Sequence, residues 1–174
     1  VLAKKTDEGL AIMEKLHTGE SVSFDGEMYQ MTATRLLPRP LQRPRIPVWV
    51  AAMLPFKAGQ RRAARWDGIM PQVMPEHLDE TQDISGLDMR ILMTPSPEHI
   101  QEVSAFTSEL RDTNAPFDVV VSAVSYGLDQ QAISNKLQAY MDVGTTWWLE
   151  WLDCGRPGTL QQTRAQILAG PPEI

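Results

Sequence analysis

The 174 residues carry a net charge of −6, with 43% hydrophobic and 22% charged side chains, ordinary for a globular chain and enough for one domain with a sizeable core. The acidic balance argues against nonspecific binding to nucleic acid or to an anionic membrane, since both need basic surfaces. No apolar run of about 18 residues is present to span a bilayer, no signal peptide is visible, and the single cysteine, Cys154, allows no intrachain disulfide; a reducing, cytoplasmic setting is the expectation.

Residue 1 is Val, and the first segment already reads as a helix in progress, so the chain is expected to be a fragment or a truncated product. Leu10, Met13 and Leu16, with Leu2 and Thr6 before them, lie at helical spacing, and the helix ends near Gly19. In "SVSFDGEMYQM" Val22 and Phe24 alternate, and Tyr29 and Met31 alternate on a return strand. Asp25-Gly26 reads as a two-residue turn, which predicts a hairpin of Ser21–Phe24 with Glu27–Gln30. Pro38, Pro40, Pro44 and Pro47 then exclude regular helix, and the apolar residues between them suggest a laid-down extended segment.

Val48–Ala52 is apolar almost without alternation, as in a strand buried on both faces of a parallel sheet. A short helix follows at Gln60–Trp66, then a strand at Gly68–Met70. Pro75 suits a first helical turn. Ser96 and Pro97 open a helix over Glu98–Arg111. Phe117–Val124 is a third buried strand. Asp129 caps a helix running to Met141, with Gly144 just past it. Thr145–Glu150 is the fourth strand. Thr159 and Gln162 form a capping box for the last helix, which ends before Gly170. Alternating strands and helices imply right-handed crossovers and one parallel sheet in sequential order.

The blocks "GESVSFDGEMYQM", "P-x-P-x-Q-x-P-x-IPVWVAA", "RRAARWDGIMP", "FDVVV", "GTTWWLEW" and "GPP", in this order, resemble the C-terminal half of the bacterial-luciferase-like flavin-dependent monooxygenases and oxidoreductases. The resemblance implies an α/β fold: a partial (β/α)8 TIM barrel in which the four strands above are the fifth to eighth. Residues 1–45 would be helix, hairpin insertion and proline segment, and residues 46–174 four β/α units, all in a single domain. Nothing corresponds to strands one to four, and a complete barrel needs about 250 residues.

The resemblance also implies FMN, or alternatively a deazaflavin coenzyme, with a small-molecule substrate. Flavin enzymes leave the redox chemistry to the cofactor, so the lack of an overt catalytic constellation is compatible with one. No catalytic residue is assigned. Val50–Gln60 joins a strand to a helix at the expected carboxyl rim, where relatives hold the flavin phosphate. Ala52, Met53, Lys57 and Gly59 are the candidates there, against a plain connecting loop; Arg61, Arg62 and Arg65 read as a solvated helix face. Gln72 ends the next strand and either hydrogen-bonds flavin or substrate or is structural, and Asp67 caps the turn before it. Glu150, at the end of the last strand, reads as functional if it points inward and otherwise as a surface or salt-bridged residue. Alternation puts Trp148 with Glu150 on one face and Trp147 with Trp151 on the other, and tryptophans so placed are usually core. Ser125 and Tyr126 have similar rim placement.

His17, His77 and His99 lack metal spacing, so no metal site is expected. His77 is the best placed of the three, and Cys154 reads as inert. The rival to an enzyme is a non-catalytic half-barrel that packs against a partner. Four strands leave two open edges and an uncovered face, lined by Val48, Val50, Val119 and Val121 or their alternates. A homo-oligomer or a missing N-terminal half is therefore the expected partner.

Overall fold

A computed structural model of the chain describes residues 1–74, 93–125, 127–152 and 159–171. They form two compact units, Val1–Val48 and Trp49–Ile174. Pro75, His77, Tyr126, Cys154 and the Thr159–Gln162 capping box lie outside the described residues and side chains.

In the first unit, helix α1 (Leu2–Leu16) precedes an antiparallel pair, β1 (Val22–Asp25) and β2 (Gln30–Thr34). The register pairs Phe24 with Met31 and Asp25 with Gln30, which moves the turn two residues along from Asp25-Gly26. Gly26 N–H donates to Tyr29 O at 2.8 Å, leaving Glu27-Met28 as the tip. The reason is Glu8 of α1. Its carboxylate accepts from the backbone N–H groups of Glu27 at 3.0 Å, Met28 at 2.9 Å and Tyr29 at 2.9 Å, and so organises a tip that would otherwise need turn-forming residues. Gly26 permits the approach, since a Cβ there would fall 2.3 Å from Glu8 Oε2. The proline segment after β2 carries no helix or strand, as its composition dictates. Arg45 fastens it to α1 through Glu14, at 3.1 Å.

In the second unit β3 (Trp49–Leu54), β4 (Gly68–Val73), β5 (Asp118–Ala123) and β6 (Trp147–Glu150) make one parallel sheet in the order β3-β4-β5-β6. This matches the sequential order read from the strand–helix rhythm, and it is consistent with a partial TIM barrel. The central strand β5 is buried on both faces at Val119, Val120 and Val121. The edge strand β3 is not. Val50, Ala52 and Leu54 are buried while Ala51 is exposed, because helices cover only one face of the edge. Val50 therefore lies on the helix side, and the open face of the edges is made by Trp49, Ala51, Trp147 and Leu149.

Helix α2 spans Lys57–Ala63, three residues earlier than the sequence suggests. Only Pro55 and Phe56 separate it from β3, and its end is set from outside: Arg111 donates to Ala64 O at 3.2 Å and to Trp66 O at 2.9 Å. Those carbonyls lie past the last helical turn. Helix α3 (Pro97–Leu110) starts with a reciprocal cap, in which Ser96 Oγ accepts from His99 N–H and His99 Nδ1 accepts from Ser96 N–H. Helix α4 (Gln130–Met141) is capped by Asp129, which accepts from Ala132 N–H at 2.8 Å. Helix α5 covers Thr159–Ala169.

At the amino ends of the strands one carboxylate ties the open face together. Asp118 accepts from the indole N–H of Trp49 at 2.9 Å and from that of Trp147 at 3.1 Å. The two rings meet at 5.4 Å. Gly68 leaves the room, since a Cβ there would sit 2.7 Å from Trp49 Cδ1 and from Asp118 O.

Candidate functional site

The candidate residues lie at the carboxyl ends of the strands. β3 and β4 stay in register to their ends, pairing Met53 with Gln72 and Leu54 with Val73. β4 and β5 pair only at Gly68↔Asp118 and Ile69↔Val119. Beyond that they diverge. Val73 N–H donates to Met93 O at 3.1 Å, and Thr94 Oγ1 donates to Ser122 O at 3.4 Å. The carboxyl end of the sheet is thus spread, with Met93–Thr94 between the two middle strands.

The six candidates fall into four groups. Met53 and Gln72 are register partners, both half-buried, so they share the open face of the sheet. Ala52 and Gly59 touch each other instead. A Cβ on Gly59 would lie 3.0 Å from Ala52 Cα, and Ala52 is 2% exposed. They form the seam where α2 lies on β3, and Gly59 is there for close approach. Lys57 is exposed in the first turn of α2. Its ammonium sits 4.3 Å from the Phe106 ring centroid and 3.4 Å from Gln60 Oε1. The start of α2 has Phe56 as N-cap and no side-chain cap, so its first N–H groups are left to solvent or to a ligand.

Glu150 lies apart, at the end of β6. It shares the helix side with Trp148, whose ring packs edge-on against Tyr140 of α4 at 5.4 Å. Its carboxylate accepts from Ser125 N–H at 2.7 Å and from the Trp148 indole N–H at 2.8 Å. Glu150 thus does not point to the open face that carries Met53 and Gln72. Ser125 is buried, and its hydroxyl accepts from Gln166 of α5 at 3.0 Å.

Lys136 of α4 had no signal in the sequence beyond its helical position. Its ammonium donates to Val124 O at 3.1 Å and lies 5.4 Å from the Trp148 ring centroid. Burial pushes its pKa down, and the Glu150 carboxylate acts in the opposite sense. Between α4 and α5, over Trp148 and Glu150, runs a groove of about 700 Å³. The tryptophans divide between faces as alternation predicts for Trp147 and Trp148. Trp148 is half-buried, whereas Trp147 is 50% exposed rather than core. His99 is used in the cap of α3, and among the described residues no group of His, Cys, Asp and Glu has the arrangement to hold a metal ion. Nor is any described helix long and apolar enough to cross a membrane.

Residues 3–85 match the family model of luciferase-like monooxygenases. The luciferase-like stretch takes in α1, the hairpin, the proline segment, β3, α2 and β4, and with them Ala52, Met53, Lys57, Gly59 and Gln72. Glu150 and the α4–α5 groove lie outside it. A search of curated proteins finds no match to the chain.

Proposed function

We propose that the chain is a flavin-binding part of a luciferase-like oxidoreductase, with the cofactor at the carboxyl ends of β3 and β4. The observation that supports this reading is that Met53 and Gln72 are register partners on the open face, and that Lys57 opens the helix that follows β3 after two residues, all within the luciferase-like stretch. Lys57 and the first N–H groups of α2 would hold the phosphate by charge and hydrogen bonds. Gln72 would hydrogen-bond the ring edge, and Met53 would pack on its face and keep water away. FMN is the expected cofactor, with a deazaflavin coenzyme as the alternative. When bound, it would supply the redox chemistry, reacting reduced with oxygen or passing a hydride to a small-molecule substrate. The test is a titration with FMN of the wild type, Lys57→Glu and Gln72→Ala. Charge reversal beside a phosphate should weaken binding roughly tenfold or more, the equivalent of about 1.4 kcal/mol. Equal affinities in all three would remove this corner from the site.

A second reading rests on the open face. Trp147 is 50% exposed, Leu149 36% and Trp151 47%, and an apolar row along an edge strand marks an interface. In this reading the chain packs against a second copy, or against a polypeptide carrying the other barrel strands, and has no turnover alone. Light scattering on a sized sample should give a mass above the 19.5 kDa of one chain. A monomer of Trp147→Ser and Leu149→Ser beside an associated wild type would place the contact on β6.

A further inference from the structure

The groove between α4 and α5 has the features of a ligand site separate from the flavin corner. Its volume of about 700 Å³ suits a small organic molecule, since such sites occupy about 300–1,000 Å³ and are mostly apolar with few polar groups. The walls are apolar, with Ile133 and Leu137 of α4 facing Ala165 and Ile167 of α5, and Trp148 and Glu150 also line the groove. Glu150 is the only ionisable side chain among the described lining residues. Each of its oxygens takes one protein N–H, from Ser125 and from Trp148, and a carboxylate offers about four acceptor positions. Acceptor capacity thus remains at the polar end of an apolar groove, on the one described lining side chain that carries a charge. Lys136 is not among the lining residues; its ammonium donates to Val124 O and also feels the Glu150 charge, from outside the groove.

Loops after the last two strands of a complete barrel commonly hold a phosphate. The charge here argues for the opposite sign. We infer that the α4–α5 groove binds an amine with an apolar body, its ammonium meeting Glu150 and its hydrocarbon lying between the two helices. This does not rest on the flavin reading, because the groove shares no residue with Met53, Lys57 or Gln72.

The probes are n-octylammonium, n-octanol and octanoate, each below its aggregation concentration, titrated into the full chain while tryptophan fluorescence and heat are recorded. Octylammonium should bind at least about tenfold more tightly than octanol or octanoate, one charge-assisted contact being of that order. Glu150→Gln should remove that preference and leave octanol binding unchanged. Ala165→Trp, which fills the groove and keeps Glu150, should abolish binding of both octylammonium and octanol. Equal affinity for octylammonium and octanoate in the wild type would overturn the inference, as would octylammonium binding that survives Ala165→Trp. If Glu150→Gln fails to fold, the three-probe ranking and the Ala165→Trp variant decide it.

Discussion

Two side chains carry more than their positions in the sequence suggest. Glu8 sits on the first helix, where it reads as one more solvated charge, yet it holds three successive N–H groups of the hairpin tip. Removing the carboxylate leaves those donors without their shared partner, so Glu8→Ala should cost about 1–3 kcal/mol of local stability. Faster amide exchange at Glu27–Tyr29 is the readout, with unchanged exchange in β5 as the control. Lys136 predicts a pH effect. Burial, the larger influence, sets its folded pKa below the ordinary 10.5, with Glu150 opposing. Below the folded value the side chain is charged in both states. Between the two values the unfolded chain binds the extra proton, so stability rises with pH up to about 10.5. Tyr140 acts in the other direction: burial first, and then Glu98, raise its pKa above the ordinary 10.0, so stability falls as pH climbs past 10. Denaturant midpoints across the alkaline range should therefore pass through a maximum, and Lys136→Met should flatten its rising side.

At the scale of elements, the contact of α2 with β3 depends on a missing side chain. Alanine in place of a helical glycine ordinarily stabilises by about 0.5–1 kcal/mol. At Gly59 the added Cβ would press on the backbone of Ala52 at 3.0 Å, and overpacking of this kind costs about 1–3 kcal/mol. Gly59→Ala should lower Tm, and a rise would show that α2 can move off the strand. Much at this scale was legible in the sequence. The Ser96 and Asp129 caps, the four strands and their order follow from local chemistry and period. The shifts came from distant partners. The hairpin tip is set by Glu8, 19 residues before it, and α2 ends where Arg111 takes its carbonyls, 47 residues after Ala64. Neither partner is visible to a reading that moves along the chain.

Across the whole molecule, the sequence located the carboxyl ends of the strands but not which side chains share a face there. Ala52 and Gly59 are neighbours in the seam, and Met53 and Gln72 are neighbours on the open face. A single residue of strand register separates the two groups, and a strand read as Val48–Ala52, against Trp49–Leu54 in the structure, left Met53 in the loop. Glu150 was found by its place at a strand end, but its direction depended on Ser125 and Trp148.

The Asp118 clamp divides labour along the sheet. Three strands are riveted at their amino ends by one carboxylate and two indoles, while β4 and β5 part company toward the other end. The arrangement is that of a hand fan, fastened at the handle and parted at the rim, where Met93–Thr94 fills the gap. Changes of loop length or composition at the spread end leave the hinge untouched, so that end can be rebuilt without renegotiating how the strands line up. Residues at the rim such as Pro55–Phe56 could therefore change while the Trp49–Asp118–Trp147 hinge kept the strands aligned.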